Sequence, residues 1–257
     1  MIKKILSCFL LILCWVQPVF PEEWNSYKSP HFEVLYKEAS LDFVKTVAES
    51  AEDYYREITS NLGFGRYRYW SADKRAQIYI YDDGEDFVKN GRQASWSAGA
   101  THTQSKVIRT FPSSSGFFDS TLPHELGHII FREFIGEGAM VPLWFEEGVA
   151  MYQEKAKRWG ANKVVHQSQK TGEFIPLREL SQMRLDSQTE VKKVELFYAE
   201  AASIVYYLIQ EQGTSRFVRL CHKIQEGVPF EEALKGVYVR FKNMDQLNKA
   251  WKDYLNK

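Results

Sequence analysis

Apolar and polar residues alternate over residues 31–36 (HFEVLY) and 76–81 (AQIYIY), the period of a half-buried strand. Between them the period changes to that of a helix. Phe43, Val44, Val47, Ala48, Ala51, Tyr55, Ile58 and Leu62 share one face over residues 41–62, and Gly63 follows as a stop. Asp82-Asp83-Gly84 reads as a turn and residues 86–90 as a short helix. Residues 94–101 and 106–111 pattern as a hairpin across 103–105, and residues 112–119 form a Ser/Gly loop. Helical spacing returns near Thr121, with Pro123 in the first turn and Gly136 at the end. A second helix opens at Pro142 and runs to about residue 157. After a linker at 171–176, helices are predicted over 177–183, 194–212, 215–225, 230–241 and 244–255, punctuated by Gly213, Gly227 and Pro229. The class is α+β. A half with a small mixed sheet, about 24–158, precedes a mostly α-helical half, 171–257, and a cleft is expected between them.

Composition narrows this further. The chain has 257 residues, 44% hydrophobic and 15% aromatic, enough for one large core. Its 33 basic and 33 acidic residues leave no basic excess, so no nucleic-acid partner is expected. Lys3 and Lys4 precede an apolar run at residues 5–16, too short to span a bilayer comfortably. Residues 1–20 therefore read as a secretory signal, and the expected location is exported: periplasmic or extracellular, in a bacterial cell envelope. Membrane association is expected only through this leader. Beyond it, Cys221 is the one remaining cysteine, so no intramolecular disulfide forms, and its apolar neighbours read it as a small buried side chain.

The chemistry concentrates in His124-Glu125-Leu126-Gly127-His128. On a helix, positions i and i+4 stand one turn apart on one face, so both imidazoles can bind one metal ion. Glu125 stands beside that ion, placed to take a proton from water. Glu147 follows His128 after 18 intervening residues and offers a third ligand. Three protein ligands leave a position open, as catalytic zinc sites do. Leu122, Leu126, Ile129, Ile130 and Phe134 give this helix an apolar face, and two buried histidines without a partner would be costly. Glu146 competes with Glu147, but adjacent helical residues point about 100° apart, so only one faces the metal. Glu154 is a candidate carboxylate behind a ligand histidine, expected on the same helix as Glu147. A solvated glutamate is the alternative. His31, His102, His166 and His222 lack ligand spacing.

His124, Glu125, His128 and Glu147 resemble the gluzincin metallopeptidases, and Trp144-Phe145-Glu146-Glu147-Gly148-Val149-Ala150 is similar to their W-L-x-E-G-x-A block. The ligand spacing resembles the aminopeptidase N-like branch, and the size resembles small bacterial peptidase MA-like domains. The resemblance implies a zincin-like fold, with 21–257 as one catalytic domain. It implies one Zn2+ per chain on His124, His128 and Glu147, with Glu125 as general base and a peptide or protein substrate. It points to a downstream helical tyrosine as oxyanion donor, for which Tyr198 is the best match; a packing tyrosine is the alternative. The branch's G-A-M-E-N-like block meets Gly99-Ala100-Thr101-His102-Thr103 here. His102 replaces the acid that would grip a free α-amine, which favours an endopeptidase. Two other functions stay open: a zinc-stabilised binding domain without catalysis, and a hydrolase of cell-wall amides.

Overall fold

The computed structural model describes residues 24–65, 70, 73–90, 100–112, 116–186 and 188–257. The leader, residues 94–99 of the expected hairpin and part of the Ser/Gly loop lie outside them. Among the described residues five strands form one mixed sheet in the order β1-β2-β3-β5-β4. They are β1 (Asn25–Lys28), β2 (Phe32–Tyr36), β3 (Ala76–Ile80), β4 (Ala100–His102) and β5 (Val107–Thr110). β2, β3 and β5 run parallel, and β1 and β4 pair antiparallel at the two ends. The register sets Val34 beside Ile78 and Ile78 beside Ile108, giving a fully buried apolar row across three strands. β1 was not expected: its sequence, NSYK, is polar, and it is held by pairing with β2 rather than by burial.

Helix α1 (Leu41–Asn61) lies against the sheet. The Ser40 side chain caps it by accepting from Phe43 N–H, and its face of Val44, Val47, Ala48, Ala51, Tyr55 and Ile58 is buried. α2 (Gly84–Asn90) follows β3. The expected loop gives way at Gly116. A π-helical turn, Phe117–Thr121, buries Phe117 and leads directly into α3 (Leu122–Ile135). α3 ends at Gly136, whose φ of 91° is a left-handed-side value that glycine tolerates.

The second helix is shorter than its pattern suggests. α4 (Leu143–Met151) stops, the chain turns at 152–154, and α5 (Lys155–Thr171) begins. Residues 158–170 carried no assignment from sequence because their apolar stripe is narrow: Ala161, Val165 and Ser168 are the buried positions. The remainder is α6 (Leu177–Leu180), α7 (Val191–Tyr206) with a π-helical extension at Tyr207–Glu211, α8 (Thr214–Gln225), α9 (Phe230–Val237) and α10 (Met244–Leu255). The expected helices at 177–183 and 230–241 are therefore trimmed, and that at 194–212 starts earlier. The buried core is continuous from Val34 in the sheet to Trp251 in α10. Among the described residues no helix is long and apolar enough to cross a membrane.

Two glycines set how closely the central helices approach. A Cβ on Gly127 of α3 would lie 3.0 Å from the Ala150 Cα of α4. A Cβ on Gly148 of α4 would lie 2.3 Å from the Ala201 carbonyl oxygen and 2.6 Å from Val205 Cγ2, both on α7. Gly148→Ala must push the α4 and α7 backbones apart. Overpacking of this kind costs about 1–3 kcal/mol or more, so the melting temperature should fall by at least about 2 °C at about 2–4 °C per kcal/mol. An unchanged melting curve would show that the two backbones do not meet here.

Glu200 on α7 is fully buried. Its Oε1 accepts the Ile175 N–H at 2.9 Å, and its Oε2 has no hydrogen-bond partner. Burial raises its pKa to about 8 from an ordinary 4.5. The folded chain thus keeps a proton that the unfolded chain releases near pH 4.5. The resulting stability is complete below that pH and is lost as pH rises towards 8. Glu200→Gln retains the acceptor without the titration. Its stability relative to the parent should climb between pH 5 and 8, by up to about 1.4 kcal/mol per unit; denaturation curves with a constant difference across that range would contradict this.

Candidate metal centre and catalytic cavity

α3 supplies His124, Glu125 and His128, and α4 crosses it to supply Glu147. One donor atom from each of His124, His128 and Glu147 lies within 4.8 Å of the others. The two imidazole Nε2 atoms are 3.1 Å apart, and Glu147 Oε2 is 3.7 Å from one and 3.8 Å from the other. Ligands on a tetrahedral zinc, with bonds of about 2.0–2.1 Å, stand about 3.3 Å apart. Two imidazoles and a carboxylate at these separations fit such an ion.

The surrounding charges agree with that fit. Burial lowers the His128 pKa well below normal, helped by the charges of His124 and Arg132. Burial raises Glu147 to about 7, with Glu146, Glu125 and Glu154 reinforcing it against His124. Burial alone would lower His124, but the hydrogen bond its ring donates to Glu154 and the charges of Glu125, Glu147 and Glu154 outweigh it and raise it. A carboxylate that holds its charge poorly beside an imidazole kept neutral is an arrangement a dication relieves.

Two interactions decide which atoms face the centre. Arg132, one turn beyond His128, donates to both carboxylate oxygens of Glu146, from Nε at 2.5 Å, and to the Ala139 carbonyl at 2.8 Å. This occupies Glu146 and leaves Glu147 turned inward. Behind His124, Glu154 Oε1 stands 3.0 Å from Nδ1, so the ring donates there and presents its Nε2 lone pair to the other ligands. Ser120 donates to the other oxygen of Glu154. Glu154 is nearly fully buried, not solvated. It acts from the turn between α4 and α5, not from the face of α4 as its spacing suggested. Tyr152 closes α4 by donating to the Gly148 carbonyl, and the extended backbone of Glu154 returns its side chain to His124.

A cavity of about 700 Å³ opens onto His124 and Glu125. Tyr198 of α7 is on its wall, two turns into a helix that begins at Val191. Burial and the charges of Glu147 and Glu125 push its pKa up to about 12, so the phenol is a hydrogen-bond donor at neutral pH. The remaining described histidine contacts are elsewhere: His31 meets Glu52 at 2.6 Å, and His222 packs against Phe134. His102 ends β4, and β4 and the turn after it lie against α3. Gly99 of the G-A-T-H-T segment lies outside the described residues. Arg132 was missed from sequence although its position, four residues after His128, was visible. α5, which walls the cavity with Ala156, Gly160 and Val164, was missed with it.

A search of curated proteins finds no match to this chain. The model for the peptidase MA superfamily matches residues 70–257, which include both helices of the metal centre and all of the helical half. That span is well over half of the chain, and the chain belongs to the peptidase MA superfamily.

Proposed function

We propose that this protein is an exported zinc-dependent peptidase, acting within peptides or proteins rather than at a free N-terminus. The observation that carries the reading is the convergence of His124, His128 and Glu147 on one point, with Glu125 and Tyr198 on the same cavity. When bound, zinc would supply Lewis acidity, polarising the scissile carbonyl and making water more acidic. Glu125, beside His124 in the cavity, takes the proton of the attacking water and delivers it to the departing amine. Tyr198 donates its phenolic hydrogen to the oxygen that gains charge as water adds. Glu154 holds the His124 ring in the orientation and tautomer that direct Nε2 inward.

β4 ends the sheet and contacts α3. An extended substrate would add along that edge. The absence of an acidic residue at His102 supports internal cleavage. The basic residues and apolar run at 3–16 support export.

Elemental analysis of the purified protein should give one zinc per chain. Glu147→Ala should lose the metal, whereas Glu125→Gln should keep it and lose hydrolysis of a peptide library, because an amide cannot accept the proton. Zinc retained by Glu147→Ala would remove that ligand. Wild-type turnover in Glu125→Gln would remove the base. Intact mass of the same preparation should show an N-terminus between Gln17 and Trp24.

Tyr198→Phe separates catalysis from packing. An oxyanion donor acts mainly in the transition state, so kcat should fall on the order of 10²–10³-fold with little change in KM or zinc content. Loss of the hydroxyl from a packing tyrosine costs about 1 kcal/mol of stability and leaves turnover near normal. That second pattern would show the donor lies elsewhere.

A further inference from the structure

α5 carries a glycine in its middle that packing does not require. Gly160 is exposed and helical, and a Cβ added there would meet no atom within 4 Å. Gly127 and Gly148, by contrast, sit close against another backbone, with no room for a Cβ at Gly148. A glycine within a helix weakens it relative to alanine. With no internal contact that needs it, its use lies in what occupies the space beside it.

That space is the catalytic cavity. Gly160 lines it together with His124, Glu125 and Tyr198. Val164, one turn further along α5, and Glu195 of α7 line this cavity and also a second one of about 700 Å³. The two therefore adjoin along the crevice between α5 and α7. The second is floored by Phe174, Ile175 and Leu196. At its rim Lys192 pairs with Glu173 and Lys193 with Glu179, beside Lys163, Glu190 and Glu195, and the floor is the apolar part of the surface. From Glu154, which touches His124, to Val164 the helix rises about 15 Å. An extended peptide covers that distance in about four or five residues at roughly 3.3 Å each.

We infer that the α5–α7 crevice is a substrate subsite. The peptide main chain passes over Gly160, and an apolar side chain about four or five residues from the scissile bond rests on Phe174 and Leu196. The inference rests on the peptidase reading for its ligand and names the substrate class: extended peptides with a distal apolar residue.

The test measures binding, not turnover. Zinc-loaded Glu125→Gln protein is titrated into fluorescein-labelled dodecapeptides that carry Leu or Asp four and five residues to either side of the centre. The Leu peptides should bind at least tenfold more tightly than the Asp peptides. Adding Gly160→Leu should weaken the Leu peptides at least tenfold with zinc content unchanged. Adding Leu196→Asp should abolish the preference. Gly160→Ala should melt at or above the parent's temperature, showing that the position tolerates a side chain. Affinities within twofold of the parent in Gly160→Leu, or no preference for Leu over Asp in the parent background, would overturn the inference, as would a background that binds no peptide. Retained, Gly160-dependent binding alongside a wild-type protein that cleaves nothing would overturn the peptidase reading alone.

Discussion

The site depends on how closely three helices approach one another. α3, α4 and α7 meet where Gly127 faces Ala150 and Gly148 faces Ala201; an added methyl carbon would be crowded at the first, 3.0 Å from Ala150 Cα, and excluded at the second, 2.3 Å from the Ala201 carbonyl oxygen. Each glycine adjoins a metal-ligand candidate in the chain: Gly127 precedes His128, and Gly148 follows Glu147. The absence of a side chain at one position thus brings the donor at the next within reach of the opposite helix. A helix pair held further apart by even one carbon would present the same residues over a wider gap, and close-packed interiors do not absorb such displacements elsewhere.

Within that frame, charge is divided between two neighbouring carboxylates. Glu146 and Glu147 are chemically identical and adjacent, yet Arg132 binds the first through a two-point contact while the second faces two imidazoles. Glu154 adds a third acidic group behind His124, anchored by Ser120. The cluster therefore gathers several acids with few cations in a partly buried space. Such a collection is unfavourable without a compensating positive charge, and the ordinary compensation for this donor set is a divalent metal.

Much of this was legible in the chain before any coordinates. The i, i+4 histidines, the glutamate between them and the W-x-x-E-G-x-A block depend on local spacing, which helical periodicity preserves. The sheet strands β2 and β3 showed the period of two. What was not legible depended on contacts between segments. β1 is polar and exists through its pairing with β2. α5 buries only a narrow stripe, so its period is faint. The break at 152–154 follows no proline or glycine; it is made where Tyr152 closes α4 and Glu154 turns back to meet His124 from outside the helix. The pairing of Arg132 with Glu146 joins residues 14 apart, and sequence alone offers Arg132 several acids to choose from.

The metal-ligand candidates all lie within residues 124–147, whereas the crevice wall is drawn from α5 and α7, downstream of them in the chain. The three donor residues and the α5 part of the crevice wall thus come from separate passages of the sequence. The exposed positions of α5, such as Ala156, Gly160 and Val164, can change without altering any of the three donor residues, so the shape of the wall can vary while the donor set stays the same. Glu154, at the root of α5, meets His124 and so joins this variable wall to the donor set, which makes it a position where such change would reach the metal-ligand candidates.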